Sequence, residues 1–159
     1  MAKIKYVTGD ATYPIGDGNK IIAHVCNDVG AWGYGFVLSL SARWPEPERL
    51  YKATKRTRKL ELNSIQICTV ESDIYVVNMI AQHGLRSSNN PIPLRYDALY
   101  LCLVDLKELA LEVNASIHMP RIGCGLAGGK WDLVEKVINN EFLDEKSIDV
   151  FVYDLKTIK

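Results

Sequence analysis

Four glycines stand within seven residues of the segment MPRIGCGLAGGKW, at positions Gly123, Gly125, Gly128 and Gly129. Each glycine costs backbone entropy on folding, so this density indicates that something approaches the backbone closely. The segment lies between a strand-like and a helix-like stretch, and the unpaired N–H groups at a helix N-terminus favour anions. Glycines in front of such a helix allow the backbone to wrap an oxyanion without collisions from side chains. The segment therefore suggests a site for a phosphate group.

A second segment, IIAHVCNDVGAWGYGF at residues 21–36, has the same order of strand, glycine loop and helix. A tight strand-to-helix turn needs one or two glycines, so either loop alone also fits a purely structural role. Two such loops in a chain of 159 residues favour a ligand with two phosphates, or a diphosphate held from both sides.

The glycine pattern does not match two well-known phosphate motifs. A Walker A loop requires Ser or Thr after its lysine, and here Trp131 follows Lys130. The dinucleotide pattern GxGxxG is met by Gly123, Gly125 and Gly128. A Rossmann fold, however, opens with this motif and needs several further βα units, for which too few residues follow.

The composition is that of an ordinary globular protein, with 48% hydrophobic and 24% charged residues and a formal net charge of +0. Balanced charge gives no general field for nucleic acid or an anionic membrane, so neither is expected as a partner. The basic run KATKRTRK at residues 52–59 lacks interleaved aromatic residues and is interpreted as a solvated helix end. We expect a monomer, because the sequence shows no obvious exposed apolar stripe.

The four cysteines contain no CxxC pair, and the three histidines have no metal-ligand spacing relative to them. No metal site is therefore expected, and reduced thiols are the expected state of the cysteines. The segment MAKIKYVTGD has no apolar region typical of a signal peptide, and no run approaches the length of a membrane span. These features predict a cytoplasmic protein.

Hydrophobic periodicity predicts an alternation of strands and helices along the chain. We predict strands at residues 3–8, 21–25, 65–70, 74–80, 116–121 and 148–155, and helices at 36–43, 47–58, 95–113 and 130–142. Such alternation is typical of the α/β class with a largely parallel sheet covered on both faces. The close spacing of two central strands suggests one antiparallel or neighbouring pair, and hence a mixed sheet. In such sheets ligands bind beyond the carboxyl ends of the strands, where both glycine segments lie.

The chain resembles the macrodomain family of ADP-ribose-binding modules in four stretches: YVTGD at residues 6–10, AHVCN at 23–27, WGYG at 32–35 and MPRIGCGL at 119–126. The resemblance is greatest to the branch that contains the terminal ADP-ribose glycohydrolase and the yeast ADP-ribose 1″-phosphate phosphatase. It implies a single domain over residues 1–159, a three-layer α/β/α fold and a six-stranded mixed, mostly parallel sheet. It also implies ADP-ribose or a derivative as the partner, with no cofactor.

The same resemblance implies where ADP-ribose would contact the chain. Asp10 would accept a hydrogen bond from the exocyclic amine of adenine, with Gly9 and Ala11 beside it. Asn27 would face the distal ribose, with Trp32 nearby. The diphosphate and distal ribose would lie between two groups of residues: Gly33, Tyr34, Gly35 and Phe36 on one side, and Ile122, Gly123, Cys124, Gly125, Leu126, Ala127 and Gly128 on the other.

Three polar residues are candidates for catalysis, and each also has a structural explanation. The resemblance places His24 near the terminal ribose as general acid or base, but a core histidine bonded to the backbone explains it equally well. Asn27 is expected to bind a ribose hydroxyl or an ordered water, although asparagine also tolerates a left-handed turn. Gln82 also fits ordinary loop surface. Cys124 has no visible base and is interpreted as a packing residue rather than a nucleophile.

The sequence departs from the terminal glycohydrolase at two positions that carry its chemistry. That enzyme has a lysine at the end of the strand here written YVVNMI, and an aspartate directly after GCGL. This chain has Ile80-Ala81-Gln82 in the first region and Ala127 in the second, so covalent lysine chemistry is not expected. The expected function is hydrolysis of ADP-ribose 1″-phosphate to ADP-ribose and phosphate. The alternatives are a weak de-ADP-ribosylating activity, and recognition of free or protein-linked ADP-ribose without catalysis.

Overall fold

The computed structural model describes residues 3–155, which form six strands and four helices. In chain order these are β1 (Ile4–Thr8), β2 (Asn19–Asn27), α1 (Phe36–Arg43), α2 (Glu46–Thr57), β3 (Ile65–Glu71), β4 (Ile74–Gln82), α3 (Tyr96–Val113), β5 (Ala115–Met119), α4 (Trp131–Phe142) and β6 (Val150–Asp154). Within this range, no helix combines the length and the apolar character needed to cross a membrane.

One sheet contains all six strands in the order β1-β6-β5-β2-β4-β3. Five strands run parallel, and β3 runs antiparallel to β4 at the edge of the sheet. The predicted α/β class and the mixed, mostly parallel sheet are confirmed, and the predicted close pair is an antiparallel hairpin. Because parallel strands share the direction of their carboxyl ends, Thr8, Asn27, Gln82, Met119 and Asp154 all lie at one edge of the sheet.

The predicted boundaries are close to the observed ones, and the larger deviations have a physical cause. α1 has its predicted bounds, since Pro45 keeps the residue before it out of the helical region. β2 is longer than predicted because it pairs with β4 on one side and β5 on the other, and this pairing includes its polar ends. β5 ends at Met119 rather than at residue 121, because Pro120 has no N–H group for the ladder.

Helices cover both faces of the sheet. α3 and α4 pack on one face, where Leu103, Leu106 and Ile138 are fully buried in the larger core. α1 and α2 pack on the opposite face, where Leu40 and Tyr51 are fully buried in a second core. The three-layer α/β/α arrangement is therefore confirmed.

A buried polar network holds the segment between β1 and β2 against the sheet. His118, fully buried on β5, lies with Nδ1 2.6 Å from the Tyr153 hydroxyl and Nε2 2.7 Å from the Ser116 hydroxyl. The Tyr153 oxygen also accepts a hydrogen bond from the Ile15 amide at 3.0 Å. Burial, together with the positive charge of Lys20, lowers the pKa of His118 to about 4. The ring is therefore neutral at pH 7.

We predict that His118 makes the stability of the protein depend on pH between its folded pKa of about 4 and its ordinary value of 6.5. The unfolded ring binds a proton as the pH drops below 6.5, while the folded ring does not, so stability falls in this window. Urea denaturation at pH 7.5 and pH 5 measures the effect. Between pH 7.5 and pH 5, the free energy of unfolding of the wild type should fall by roughly 2 kcal/mol more than that of His118→Gln.

The matched control is His83→Gln, because the ring of His83 is 61% exposed. This variant should retain the loss of stability that His118→Gln lacks. Equal losses of stability in all three proteins would contradict the role given to His118.

Candidate functional site

A groove of three adjoining cavities runs along the edge where the parallel strands end. The first compartment, about 280 Å³, lies at the ends of β1 and β6 and includes Gly9, Asp10, Ala11, Gly35, Phe36 and Tyr153. The middle compartment, about 300 Å³, includes His24, Tyr34, Gly35, Phe36, Gln82 and residues 120–127. The distal compartment, about 370 Å³, lies at the ends of β2 and β4 and includes Asn27, Gly33, Tyr34, Gln82, Leu85 and Arg86. Neighbouring compartments share lining residues, so the three cavities follow one another along this edge, and we refer to them together as the groove.

Two loops form the walls of the middle compartment: the first loop, residues 28–35, and the second loop, residues 120–130. Within the part of the chain that the structure describes, the backbone N–H groups of residues 32–37 and 121–127 donate no hydrogen bond to a protein atom. Gly35 precedes α1 with a φ of 81°, and no side chain caps this helix, so its first N–H groups are free. Residues 34–37 of the first stretch and 121–127 of the second line the same cavity, so residues with free amides border it on two sides.

The fold itself requires three of the four glycines in the second loop, through packing or through backbone conformation. Cβ atoms at Gly128 and Gly129 would lie 2.8 and 2.5 Å from backbone oxygens. Gly123 has a φ of 72°, a conformation that other residues rarely adopt, and a Cβ there would also lie 2.8 Å from the end of the Leu94 side chain. A Cβ at Gly125, by contrast, would meet nothing within 4 Å. The structural explanation for glycine therefore holds at three positions, and only Gly125 leaves open space beside the groove.

The middle compartment offers backbone amides rather than a free cation. Arg121 lines this compartment, but its guanidinium is bound to both carboxylate oxygens of Asp154, at 2.6 and 2.9 Å. The start of α4 does not line any of the three compartments, and the indole N–H of Trp131 donates to the Tyr6 hydroxyl at 2.9 Å. An anion in this compartment would therefore be recognised by loop N–H groups.

His24 is among the residues that line the middle compartment, and it is only 2% exposed. Its Nε2 donates to the Asn78 amide oxygen at 2.5 Å. The Asn78 amide nitrogen donates to the Pro47 carbonyl at 3.2 Å and the Gln66 side-chain oxygen at 3.1 Å, and these two bonds fix the orientation of the amide. The proton of His24 therefore lies on Nε2, and Nδ1 is unprotonated. Burial lowers the pKa of His24 to about 4, so the ring is neutral at pH 7.

Asn27 organises the first loop. Its side-chain oxygen accepts hydrogen bonds from the Val29 amide at 3.1 Å, the Ala31 amide at 3.0 Å and the Tyr51 hydroxyl at 2.7 Å. Its amide nitrogen donates to the Ala31 carbonyl at 2.8 Å. An asparagine amide has two N–H donors, so one is left for a molecule in the distal compartment, which Asn27 lines.

Asp10 lies in the first compartment with one carboxylate oxygen free. One oxygen accepts hydrogen bonds from the Thr12 amide at 2.9 Å and the Thr12 hydroxyl at 2.8 Å, which closes a tight turn. The other oxygen has no partner among residues 3–155. The side chains of Phe36 and Tyr153 form apolar walls around it. A flat, apolar group that carries a hydrogen-bond donor matches these walls and this oxygen.

Two of the predicted ligand contacts do not line the groove. Trp32 is 6% exposed in the second core, and its indole N–H donates to the Ser41 hydroxyl at 2.8 Å. Gly128 packs against the backbone of the segment before α3. The other predicted contacts all line the groove: Gly9, Asp10, Ala11, Asn27, Gly33, Tyr34, Gly35, Phe36, Ile122, Gly123, Cys124, Gly125, Leu126 and Ala127.

Gln82 and Cys124 lie where the sequence suggested. Gln82 lines both the middle and the distal compartments, and its amide nitrogen donates to the Gly84 carbonyl at 3.2 Å. Burial raises the pKa of Cys124, so its sulfur is a thiol rather than a nucleophilic thiolate. Sequence reasoning missed Arg86 and Leu85 of the distal compartment. Their position in the sequence, directly after the carboxyl end of β4, is the feature from which they could have been predicted.

No protein-family model matches the chain. A macrodomain protein from Streptomyces coelicolor has a similar structure, with a TM-score of 0.83 and 46% sequence identity over 95% of this chain and 98% of that one. A protein of unknown function from Bacteroides thetaiotaomicron is also similar, with a TM-score of 0.91 and 49% identity over 97% of this chain and 99% of that one.

The curated relatives include much longer proteins. Chromodomain-helicase-DNA-binding protein 1-like of Mus musculus is 29% identical over 94% of this chain, and the chain spans only 17% of that protein. It spans 14% of the protein of the same name from Danio rerio, with 32% identity. An ADP-ribose 1″-phosphate phosphatase from Lodderomyces elongisporus is 26% identical over 95% of this chain and 99% of its own length.

The sheet order, the two glycine loops and the groove between them occur on a chain that is 46% identical, almost from end to end, to a macrodomain protein. This chain belongs to the macrodomain family.

Proposed function

We propose that the groove binds ADP-ribose 1″-phosphate and that the chain hydrolyses its terminal phosphate ester to give ADP-ribose and phosphate. The observation that carries this proposal is the pair of loops whose free amides border the middle compartment. Fixed N–H groups are suitable partners for the oxygens of a diphosphate. The similarity to a phosphatase of this substrate, over nearly the whole length of both chains, supports the choice of reaction.

The two ends of the groove differ in polarity, and so do the two ends of this ligand. The apolar walls of the first compartment and the free oxygen of Asp10 suit adenine and its exocyclic amine. The side chain of Asn27 in the distal compartment and that of Gln82, which lines both the distal and the middle compartments, suit the hydroxyl groups of the distal ribose. C1″ would then lie at the border of the middle compartment, which His24 lines. The diphosphate would then lie in the middle compartment, between the two loops.

In the proposed reaction a water oxygen forms a bond to phosphorus, and the bond between phosphorus and the leaving oxygen on C1″ breaks. The water loses one proton and the leaving oxygen gains one, so a group that accepts and then returns a proton completes the balance. His24 is the proposed group, and its unprotonated Nδ1 is the atom that takes the proton. The side-chain oxygen of Gln82 orients the water, and the loop amides stabilise the negative charge that develops.

The first test is binding of ADP-ribose to Asp10→Asn, measured by calorimetry. Asparagine keeps the oxygen that accepts the Thr12 hydrogen bonds, but it replaces the free carboxylate oxygen by an N–H donor. We expect affinity to fall about tenfold, because a hydrogen bond to a charged acceptor is lost. Asp17→Asn, at an exposed turn, is the control and binds as the wild type does. Unchanged affinity in Asp10→Asn would show that adenine does not occupy the first compartment.

The second test separates glycines that serve the ligand from glycines that serve the fold. Gly125→Val places a side chain in open space, so we expect ADP-ribose affinity to fall about tenfold or more while the melting temperature stays near that of the wild type. Gly129→Ala places a Cβ 2.5 Å from a backbone oxygen, so its melting temperature falls. Full ADP-ribose affinity in Gly125→Val would argue against a ligand between the two loops.

The third test concerns phosphate release and its pH dependence. His24→Asn should lower kcat about 100-fold or more, because proton transfer is lost. The neutral ring of His24 persists down to a pKa of about 4, so the wild type should show no loss of rate near pH 6.5 from this group. The second ionisation of the substrate phosphate, near pH 6, is common to all variants and cancels in their comparison.

A different result would redirect the proposal. Phosphate release by His24→Asn at the rate of the wild type would reject His24 as the group that carries the proton. Wild type that binds ADP-ribose but releases no phosphate would reject hydrolysis and leave a binding module.

A further inference from the structure

We infer that Arg86 binds the terminal phosphate of the ligand at the distal end of the groove and thereby selects ADP-ribose 1″-phosphate over ADP-ribose. This inference rests on the proposed function. It assigns a residue and a charge to the part of the groove that distinguishes the substrate of that reaction from its product.

Arg86 is the charged residue among those that line the distal compartment. None of the ion pairs within residues 3–155 involves Arg86. Arg121, the charged residue of the middle compartment, is instead neutralised by Asp154. The distal end therefore differs from the rest of the groove in offering a guanidinium without a carboxylate partner.

The loop that carries Arg86 is held in place from both sides. The Asp28 carboxylate accepts hydrogen bonds from the Gly84 amide at 2.8 Å and the His83 ring at 2.7 Å. The Asn90 side chain donates to the Leu85 carbonyl at 3.1 Å, and also to that of His83 at 2.7 Å. These bonds fix the backbone directly before Arg86, and a pair of hydrogen bonds between the Ser87 and Asn90 backbones, at 3.1 and 3.0 Å, fixes it directly after. The side chain of Arg86 therefore starts from a defined position beside the compartment.

The chemistry of the two ligands makes this position selective. A phosphate monoester on C1″ carries between one and two negative charges at pH 7, while ADP-ribose carries a neutral hydroxyl there. A guanidinium binds phosphate oxygens through two parallel N–H bonds, which lysine cannot reproduce. The diphosphate is common to both ligands and meets the amides of the middle compartment. Arg86 would therefore increase the affinity for ADP-ribose 1″-phosphate and leave the affinity for ADP-ribose unchanged.

The test is displacement of a fluorescent ADP-ribose analogue by ADP-ribose and by ADP-ribose 1″-phosphate, read by stopped flow before turnover. Wild type should bind the 1″-phosphate about tenfold more tightly than ADP-ribose at low salt. Arg86→Gln should remove this preference, while its affinity for ADP-ribose stays within about twofold of the wild type. Arg86→Lys should keep part of the preference, because it keeps the charge but not the paired N–H groups.

The control is Arg58→Gln, which removes an exposed arginine that lines none of the three compartments. It should keep the full preference of the wild type. A preference that survives in Arg86→Gln, or wild type without any preference, would overturn the inference while ADP-ribose binding stands. Failure of the wild type to bind the analogue or ADP-ribose at all would instead overturn the proposed function.

Discussion

The groove depends on one constraint: its loops must keep a fixed shape while the amides at their tips stay unbonded. In the first loop the side chain of Asn27 supplies the fixing bonds, to two amides and one carbonyl nearer the strand, and Tyr51 locks that side chain in turn. In the second loop the Gly129 amide bonds to the Gly123 carbonyl, across the base of the loop. Each loop is thus closed at its base, so its remaining amides would meet the proposed ligand without further ordering, which would lower the entropy cost of binding.

The charged groups of the groove are arranged in the same way: some residues hold the loops in place, and others remain free for a ligand. Asp28 and Asn90 hold the loop around Arg86, just as Thr12 occupies only one oxygen of Asp10 at the other end of the groove. A carboxylate at one end, uncharged donors in the centre and a guanidinium at the other end make the groove electrostatically asymmetric. An elongated ligand with unlike ends can therefore satisfy all three regions in only one direction.

Features that depend on local sequence patterns could be predicted: the fold class, the mixed sheet, the bounds of α1 and the position of both glycine loops. Features that depend on side-chain contacts between distant segments could not be predicted. Trp32 is adjacent to glycines that line the groove, yet α2 contributes the pocket that buries it. Arg86 lies in a loop without periodicity, and its position is set by residues far along the chain. The number of glycines in the second loop did not distinguish a binding role from a structural one. Packing requires glycine at positions 128 and 129, but it does not require glycine at position 125.

The pairing of β1 with β6 has a consequence for how the protein is made. Ile4 is in register with Val150, and the first compartment combines Gly9 from one of these strands with Tyr153 from the other. The distal compartment, in contrast, is built from segments that all precede β6: β2, the first loop, the start of α1, the loop after β4 and Leu126 of the second loop. During synthesis on the ribosome the distal end can therefore assemble well before β6 emerges, whereas the end proposed for adenine cannot. A nascent chain would therefore complete the first compartment only after β6 has left the ribosome and paired with β1.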